Sequence, residues 1–183
     1  MTTTVKRGAG TGLPRAGTWL IDPDTASVAF SGRASRLTPM VRASFSGVTG
    51  SVVAAGDPDR TTVDVAVDVT TMASGNRAWD DLLAVADPFQ ADTWPRATFR
   101  SSAVRWRGAR VLIDGVLTLR GIGQALTLAA EHALDASAER LTIRASGAVD
   151  REGFGIRCDV PGARLFMPRT LQLEIDVQAT YAG

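Results

Sequence analysis

The sequence predicts an all-β fold, an antiparallel barrel of eight strands with one short helix within residues 71–96. Apolar and polar residues alternate with a period of two over most of the chain from Trp19 onward, as in strands with one buried face. Short turn signals separate these runs, and only residues 71–96 form a long interval. Closing such a series of hairpins into a barrel removes exposed sheet edges. An open sandwich is the alternative.

The individual strands follow from the same alternation. VDVAVDV at residues 63–69 places its valines on one face and its two aspartates on the other, and LQLEIDVQA at residues 171–179 repeats the pattern. LTLAAEH at residues 126–132 and LTIRASGAV at residues 141–149 have the same period. The other predicted strands are residues 26–36, 41–46, 48–55, 97–106 and 110–120.

The long interval predicts one helix, from about Asn76 to Val85. Ser74 or Asn76 can cap its start, because a short polar side chain there accepts hydrogen bonds from free amides of the first turn. Pro88 prevents its continuation.

The composition fits one globular domain, residues 17–183, behind a flexible arm of residues 1–16 that is rich in Thr, Gly and Pro. A formal net charge of +1 gives no bias towards nucleic acid or anionic membranes, so no nucleic-acid partner is expected. No run approaches the roughly 18 apolar residues of a membrane span. The first residues lack the apolar stretch of a secretory signal, which favours a cytoplasmic protein. Cys158 stands alone, so neither a disulfide framework nor a cysteine metal site is expected, and we predict no cofactor.

An eight-stranded barrel is just wide enough to be filled by side chains or to hold one small ligand. Large inward residues alternate here with small ones such as Ala130, Ala145, Gly115 and Gly147. A slot between larger walls and a solid core both fit this pattern. The expected walls include Phe30, Phe45, Phe99, Leu117 and Leu119.

Six motifs follow one another between Trp19 and the end of the chain. They are WLIDPDTASVAF (19–30), SFSGVTGSV (44–52), TMASGNRAWDDLL (71–83), ADPFQADTWPRATFRS (86–101), IDGVLTLRGIGQALTL (113–128) and VDREGFGI (149–156). In this order and spacing they resemble the YceI-like family. The resemblance implies an extended lipocalin-like barrel with a helix, whose apolar interior binds polyisoprenoids or other amphiphilic chains. It also implies a link to isoprenoid quinone metabolism, transport or storage, and pairing of two copies into a homodimer.

The chain departs from the family pattern at several polar positions. A His-Ser pair usually follows the first Asp-Pro, and a second histidine lies on the same strand. An Arg-Asp-x-His-Leu run usually occupies the helix motif. This chain lacks three histidines and one arginine of that pattern, which indicates a different or less polar head group or a structural role for the lost residues. Thr25 and Ala26 stand in place of the His-Ser pair, Ala34 in place of the second histidine, and Trp79 and Leu82 in place of the Arg and His of the helix motif.

The predicted ligand-binding residues combine the barrel wall with a cover formed by the 71–96 segment. Arg120, with Arg100 and Arg77 as weaker candidates, is the guanidinium expected to contact a polar or phosphate-bearing head. The predicted set is Phe30, Phe45, Val67, Trp79, Leu82, Leu83, Phe89, Trp94, Phe99, Leu117, Leu119 and Arg120.

Catalysis is the rival interpretation, and a filled barrel with a structural or stress role is a third. A small hydrolase or isomerase would use His132, the only histidine, with a carboxylate. Asp80 and Asp81 are adjacent, so on a helix their side chains point about 100 degrees apart and do not form a shared acid–base site. Ser101 and Ser102 lack a nucleophile-elbow setting. We therefore expect a binding protein and not an enzyme.

Overall fold

Ten strands and one helix form in the computed structural model of the protein, which describes residues 12–38, 40–107, 110–135, 137–157 and 168–183. Cys158 and residues 1–11 of the predicted arm lie outside this part of the chain. The strands are β1 (Gly17–Ile21), β2 (Ser27–Gly32), β3 (Val41–Phe45), β4 (Val48–Ala54), β5 (Thr62–Asp68), β6 (Arg96–Arg107), β7 (Arg110–Leu119), β8 (Ile122–Leu134), β9 (Arg140–Asp150) and β10 (Thr170–Tyr181), and the helix is α1 (Arg77–Ala86).

The ten strands occupy eight positions of one closed antiparallel ring. Strands β4 to β10 pair in chain order. Strand β10 then pairs with β1 through residues 179–181 and with β2 through residues 172–176, so β1 and β2 are two parts of one ring position. Strands β3 and β4 share the next position, because β3 pairs with β2 and β4 with β1. The predicted eight-stranded barrel is confirmed.

The ring position shared by β3 and β4 is interrupted between the two strands, and the segment after β5 forms hydrogen bonds with the barrel there. Between β3 and β4, the carbonyl of Gly47 accepts a hydrogen bond from the amide of Asp68 (2.7 Å). The amide of Ser44 donates to the carbonyl of Ala73 (2.8 Å), and the amide of Ala73 donates back (2.9 Å). These bonds continue the ring beyond β3 and bring α1 to this end of the barrel, which we call the helix end.

A bulge in β6 changes which residues face inward. The pairing of β6 with β7 shifts register between Ser101 and Ala103. Before the bulge Phe99 is buried, and after it Val104 is buried and Trp106 faces the interior. A single extra residue moves every following side chain to the opposite face. The inward positions therefore change from odd to even numbers within one strand.

The start of α1 agrees with the sequence prediction. The side-chain oxygen of Asn76 accepts hydrogen bonds from the amides of Ala78 (3.0 Å) and Trp79 (3.3 Å), so Asn76 is the N-cap. The carboxylate of Asp80 reaches back and accepts from the amide of Ser74 (2.7 Å). Asn76, just before the helix, and Asp80, in its first turn, thus accept hydrogen bonds from amides that would otherwise lack partners.

The end of α1 lies one residue beyond the prediction. Asp87 adopts a left-handed conformation (φ 37°), and its amide donates to the carbonyl of Leu83. Pro88 then excludes a further turn. In the described part of the chain, no helix is long and apolar enough to cross a membrane.

Asn76→Ala should destabilise the folded protein by about 1 kcal/mol, because it removes the acceptor for two amides of the first turn. Asn76→Asp should retain nearly the full free energy of unfolding, since aspartate caps as well as asparagine. Urea titration of the three proteins measures this difference. Equal stability of the alanine and aspartate variants would contradict the capping role.

Candidate ligand cavity

A cavity of about 170 Å³ lies inside the barrel, and residues of all ten strands line it. The buried core falls into two clusters, one containing Phe45 and Leu141 and the other containing Phe99 and Leu128. Members of both clusters face the cavity. The interior therefore holds a slot between two packed regions, and the alternative of a solid core is not what the structure contains.

Eight of the twelve predicted ligand-binding residues line the cavity. Most are strand residues whose side chains point inward by the period of two, and two belong to the segment that includes α1. Their position is that of a ligand wall, while their role in binding stays a prediction. These residues are Phe30, Phe45, Val67, Leu83, Phe89, Phe99, Leu117 and Leu119.

The other four predicted residues are not among those that line the cavity. Trp79 and Leu82 are half-buried on α1, of which only Leu83 reaches the cavity. Trp94 is 41% exposed, and its ring packs over Gly121 in the turn between β7 and β8. Arg120 lies in the same turn, where its Nη1 donates to the carbonyl of Gly155 (2.6 Å). In this structure Trp94 and Arg120 thus make contacts within the helix-end loops.

The small inward residues play two different roles. Ala130 and Ala145, paired across β8 and β9, line the cavity and leave space that larger side chains would fill. At Gly115 a Cβ would meet the ring of Phe99, so the space beside this glycine is filled by close packing. The slot depends on the alanines.

Three phenylalanines form a row at the helix end. The ring centroids of Phe30 and Phe45 are 5.9 Å apart, and Phe45 lies 5.7 Å from Phe89 in an edge-to-face arrangement. Phe89 follows α1, and with Leu83 it extends the wall across the end of the barrel. The segment predicted as a cover therefore contributes to the cavity through its C-terminal half.

Arg151 is a cavity residue at the helix end that the sequence analysis missed. It is 7% exposed, and its Nε and Nη1 donate to the carbonyls of Pro168 (2.8 Å) and Ile156 (2.6 Å). Its Nη2 lies 3.7 Å from the carboxylate of Glu152. The VDREGFGI motif contains Arg151, but nothing in its spacing shows that a guanidinium turns inward. It places a guanidinium, paired with Glu152, among the residues that line this end of the cavity.

The opposite end of the cavity is lined by Thr61, Trp106 and His132, which we call the floor. The rings of Trp106 and His132 are perpendicular, with centroids 4.9 Å apart. The indole nitrogen of Trp106 donates to the carbonyl of Pro58 (3.0 Å). His132 was named from the sequence as a catalytic candidate. Trp106 was missed, because the bulge in β6 changes which residues face inward.

Asp80 has a structural role at the start of α1. Hydrogen bonds from the side chain and the amide of Ser74 lower the pKa of its carboxyl group, so Asp80 is ionised at neutral pH. Asp81 is exposed. The helix end that carries both lies across the barrel from His132, so they do not form an acid–base pair with the imidazole.

The other catalytic candidates are also engaged in structure. The hydroxyl of Ser101 accepts a hydrogen bond from the amide of Val63 (2.8 Å), and that of Ser102 donates to the carbonyl of Asp114 (3.3 Å). Gly121 forms part of the turn between β7 and β8. Among the described residues, no cluster of His, Cys, Asp and Glu could hold a metal ion.

The family model described as YceI-like domain matches residues 19–179. The chain belongs to the YceI-like family. Among solved structures, this YceI-like barrel is similar to BcnA of Burkholderia cenocepacia, with a TM-score of 0.75 and 21% identity over 87% of this chain and 99% of that one. It is also similar to the YCEI protein of Campylobacter jejuni, with a TM-score of 0.65 and 18% identity over 81% of this chain and 89% of that one. No curated protein matches the chain.

The helix end of the YceI-like domain is held by a cluster of charges. The Asp150 carboxylate binds the guanidinium of Arg169 (2.7 Å) and the amide of Glu152 (3.0 Å). The hydrogen bond from the side chain of Arg169 is the main cause that lowers the pKa of Asp150. This cluster surrounds the turn that carries Arg151.

Asp150→Asn should destabilise the domain at neutral pH and matter less in acid. The folded pKa of Asp150 lies below the unfolded value of about 3.9, so its stabilisation is present above that value and is lost as the pH falls through the folded pKa. Urea titrations of both proteins over an acid-to-neutral series measure the difference. A difference that does not change with pH would contradict this assignment.

Proposed function

We propose that the protein binds one amphiphilic apolar chain inside the barrel and sequesters or carries it. Ligands of this class are polyisoprenoids, isoprenoid quinones and fatty-acid-like lipids. The observation that supports the proposal is the cavity itself. Within the described part of the chain, only Thr61, Thr98, His132 and Arg151 among its lining residues have polar or charged side chains.

The apolar wall would supply most of the affinity. Each CH₂ group removed from water contributes about 0.8 kcal/mol, whereas a hydrogen bond to the head contributes about 1 kcal/mol net. A chain of about ten carbons therefore gains several times more than one polar contact. Such a ligand needs few polar partners.

The contacts of His132 support binding over catalysis. Its Nε2 lies 3.0 Å from the carbonyl oxygen of Gly12, and its ring packs against Trp106. A general base acts beside a nucleophile or a second acid–base group, and no Asp, Glu, Ser or Cys is among the described residues that line the cavity. The imidazole is held as part of the floor. We propose no catalytic residue and no cofactor.

Extraction of the purified protein with organic solvent, followed by mass spectrometry, tests the proposal. We expect an amphiphilic chain in stoichiometric amount, and native mass spectrometry should show the matching mass increase on the folded protein. If the purified protein contained no lipid in any expression host and took up no added lipid, the proposal would be contradicted. The same spectra report whether the protein is a homodimer. The homodimer and a cytoplasmic location both stay predictions.

Leu117→Trp should abolish lipid uptake without unfolding the barrel, because the indole occupies the slot. In a filled core the same change would cost about 1–3 kcal/mol by overpacking. Val116→Trp is the matched control, since Val116 is on the same strand and 45% exposed. We expect the control to retain its lipid. Bound lipid in the Leu117 variant at the wild-type level would argue against the cavity as the site.

A further inference from the structure

The floor of the cavity is covered from outside by an N-terminal segment, residues 12–16, which we call the strap. The indole nitrogen of Trp19 donates to the carbonyl of Arg15 (3.0 Å), and the hydroxyl of Tyr181 donates to the carbonyl of Ala16 (3.0 Å). The guanidinium carbon of Arg15 lies 3.6 Å from the centre of the Tyr181 ring, a cation–π contact. Pro14 is buried. The strap is therefore attached to β1 and β10 beside the floor.

One hydrogen bond joins the strap to the floor directly. A carbonyl oxygen only accepts hydrogen bonds, so the contact of His132 with the carbonyl of Gly12 (3.0 Å) requires a proton on Nε2. The other ring nitrogen, Nδ1, is buried without a hydrogen-bond partner, and the residue is 6% exposed. His132 thus uses its polar edge to hold the strap.

The two ends of the cavity differ in charge. Arg151 brings a guanidinium to the helix end, whereas apart from His132 the floor consists of an indole and a threonine. A charged head group at the floor would lose its hydration without an opposite charge, which costs several kcal/mol. An anionic or polar head is therefore favoured at the helix end, and the apolar tail at the floor.

We infer that the floor and the strap close the barrel at one end and set a maximum length for the bound chain, which enters tail first with its head beside Arg151. This inference rests on the proposed function and adds a ligand class to it: single-chain amphiphiles with an anionic or polar head and a tail of limited length. A barrel open at both ends would show no such limit.

The length of the slot follows from the strand geometry. Ile143 pairs with His132 at the floor, and eight residue steps separate it from Arg151. At about 3.4 Å per step and a strand tilt of about 40°, this distance is about 20 Å along the barrel axis. With bonds of about 1.5 Å and angles near 111°, an extended alkyl chain advances about 1.25 Å per carbon. The slot therefore fits about 16 carbons.

A series of straight-chain carboxylates from octanoate to eicosanoate tests the limit. Affinity, measured by isothermal titration below micelle-forming concentrations, should rise about fourfold per added CH₂ up to about hexadecanoate and then stop rising. Binding that keeps growing through eicosanoate would overturn the inference and leave the proposed function intact. No binding at any length would count against the proposed function itself.

Variants at neighbouring positions of β8 test which residues set the maximum length of the bound chain. Ala130→Phe adds a ring to the cavity wall just before the floor, so the longest useful chain should shorten by several carbons while octanoate binds as before. Ala129→Phe, on the outer face of the same strand, should leave the limit unchanged. His132→Ala removes part of the floor and its bond to the strap, so the limit should lengthen. An unchanged limit in both Ala130→Phe and His132→Ala would overturn the assignment of the floor.

Trp106 reports the direction of binding. A chain with bromine at the tail end should quench the fluorescence of Trp106, whereas one brominated next to the carboxylate should not. Trp106→Phe identifies the contribution of this residue, because the quenching difference should disappear. Stronger quenching of the Trp106 contribution, the part of the signal that Trp106→Phe removes, by the head-brominated chain would show that the head lies at the floor and would overturn the inference.

Discussion

The pairing of β10 with both β1 and β2, which share one ring position, is the constraint on which the cavity depends. Residues 179–181 pair with β1 and residues 172–176 with β2, so one strand closes the ring over its whole height. Closure removes free sheet edges and fixes eight strand positions, a number at which the interior is just wide enough for one ligand. Whether a slot remains is then decided by side-chain size at inward positions, above all at Ala130 and Ala145.

The sequence predicted the features that depend on local chemistry. The period of two located nine of the ten strands, but β1 was not predicted as a separate strand. The polar residues before α1 and Pro88 after it located the helix to within one residue at each end. Six wall residues on strands were also found, because inward alternation carries that information directly. Leu83 and Phe89 were found from the position of the segment between β5 and β6. Trp106 was missed, since a bulge changes the phase of β6 without a glycine or proline to mark it. The inward guanidinium of Arg151 depends on carbonyls of Ile156 and Pro168, which no local pattern encodes.

The strap shows how a segment of weak composition can still contact the barrel. Residues 1–16 contain few large apolar groups, and on composition alone the whole arm was expected to be flexible. Its last five residues instead supply backbone carbonyls to Trp19, His132 and Tyr181. Hydrogen-bond donors of the barrel, together with the buried Pro14 and the contact of Arg15 with the Tyr181 ring, hold the segment in place. Sequence periodicity does not report such acceptors, because every residue has one.

The lost family histidines fit a site whose selectivity comes from shape. The residues at those positions are Thr25 and Ala34, which are exposed, and Leu82, which is half-buried on α1; none of the three lines the cavity. The residues found in place of the histidines therefore leave the apolar wall unchanged. Each carbon that is buried against the wall contributes about 0.8 kcal/mol to the binding free energy. A carbon that cannot enter the cavity contributes none. Discrimination by tail length therefore needs only a closed end, whereas discrimination by head group needs polar residues, and Arg151 is the charged one that faces the cavity in the described part of the chain.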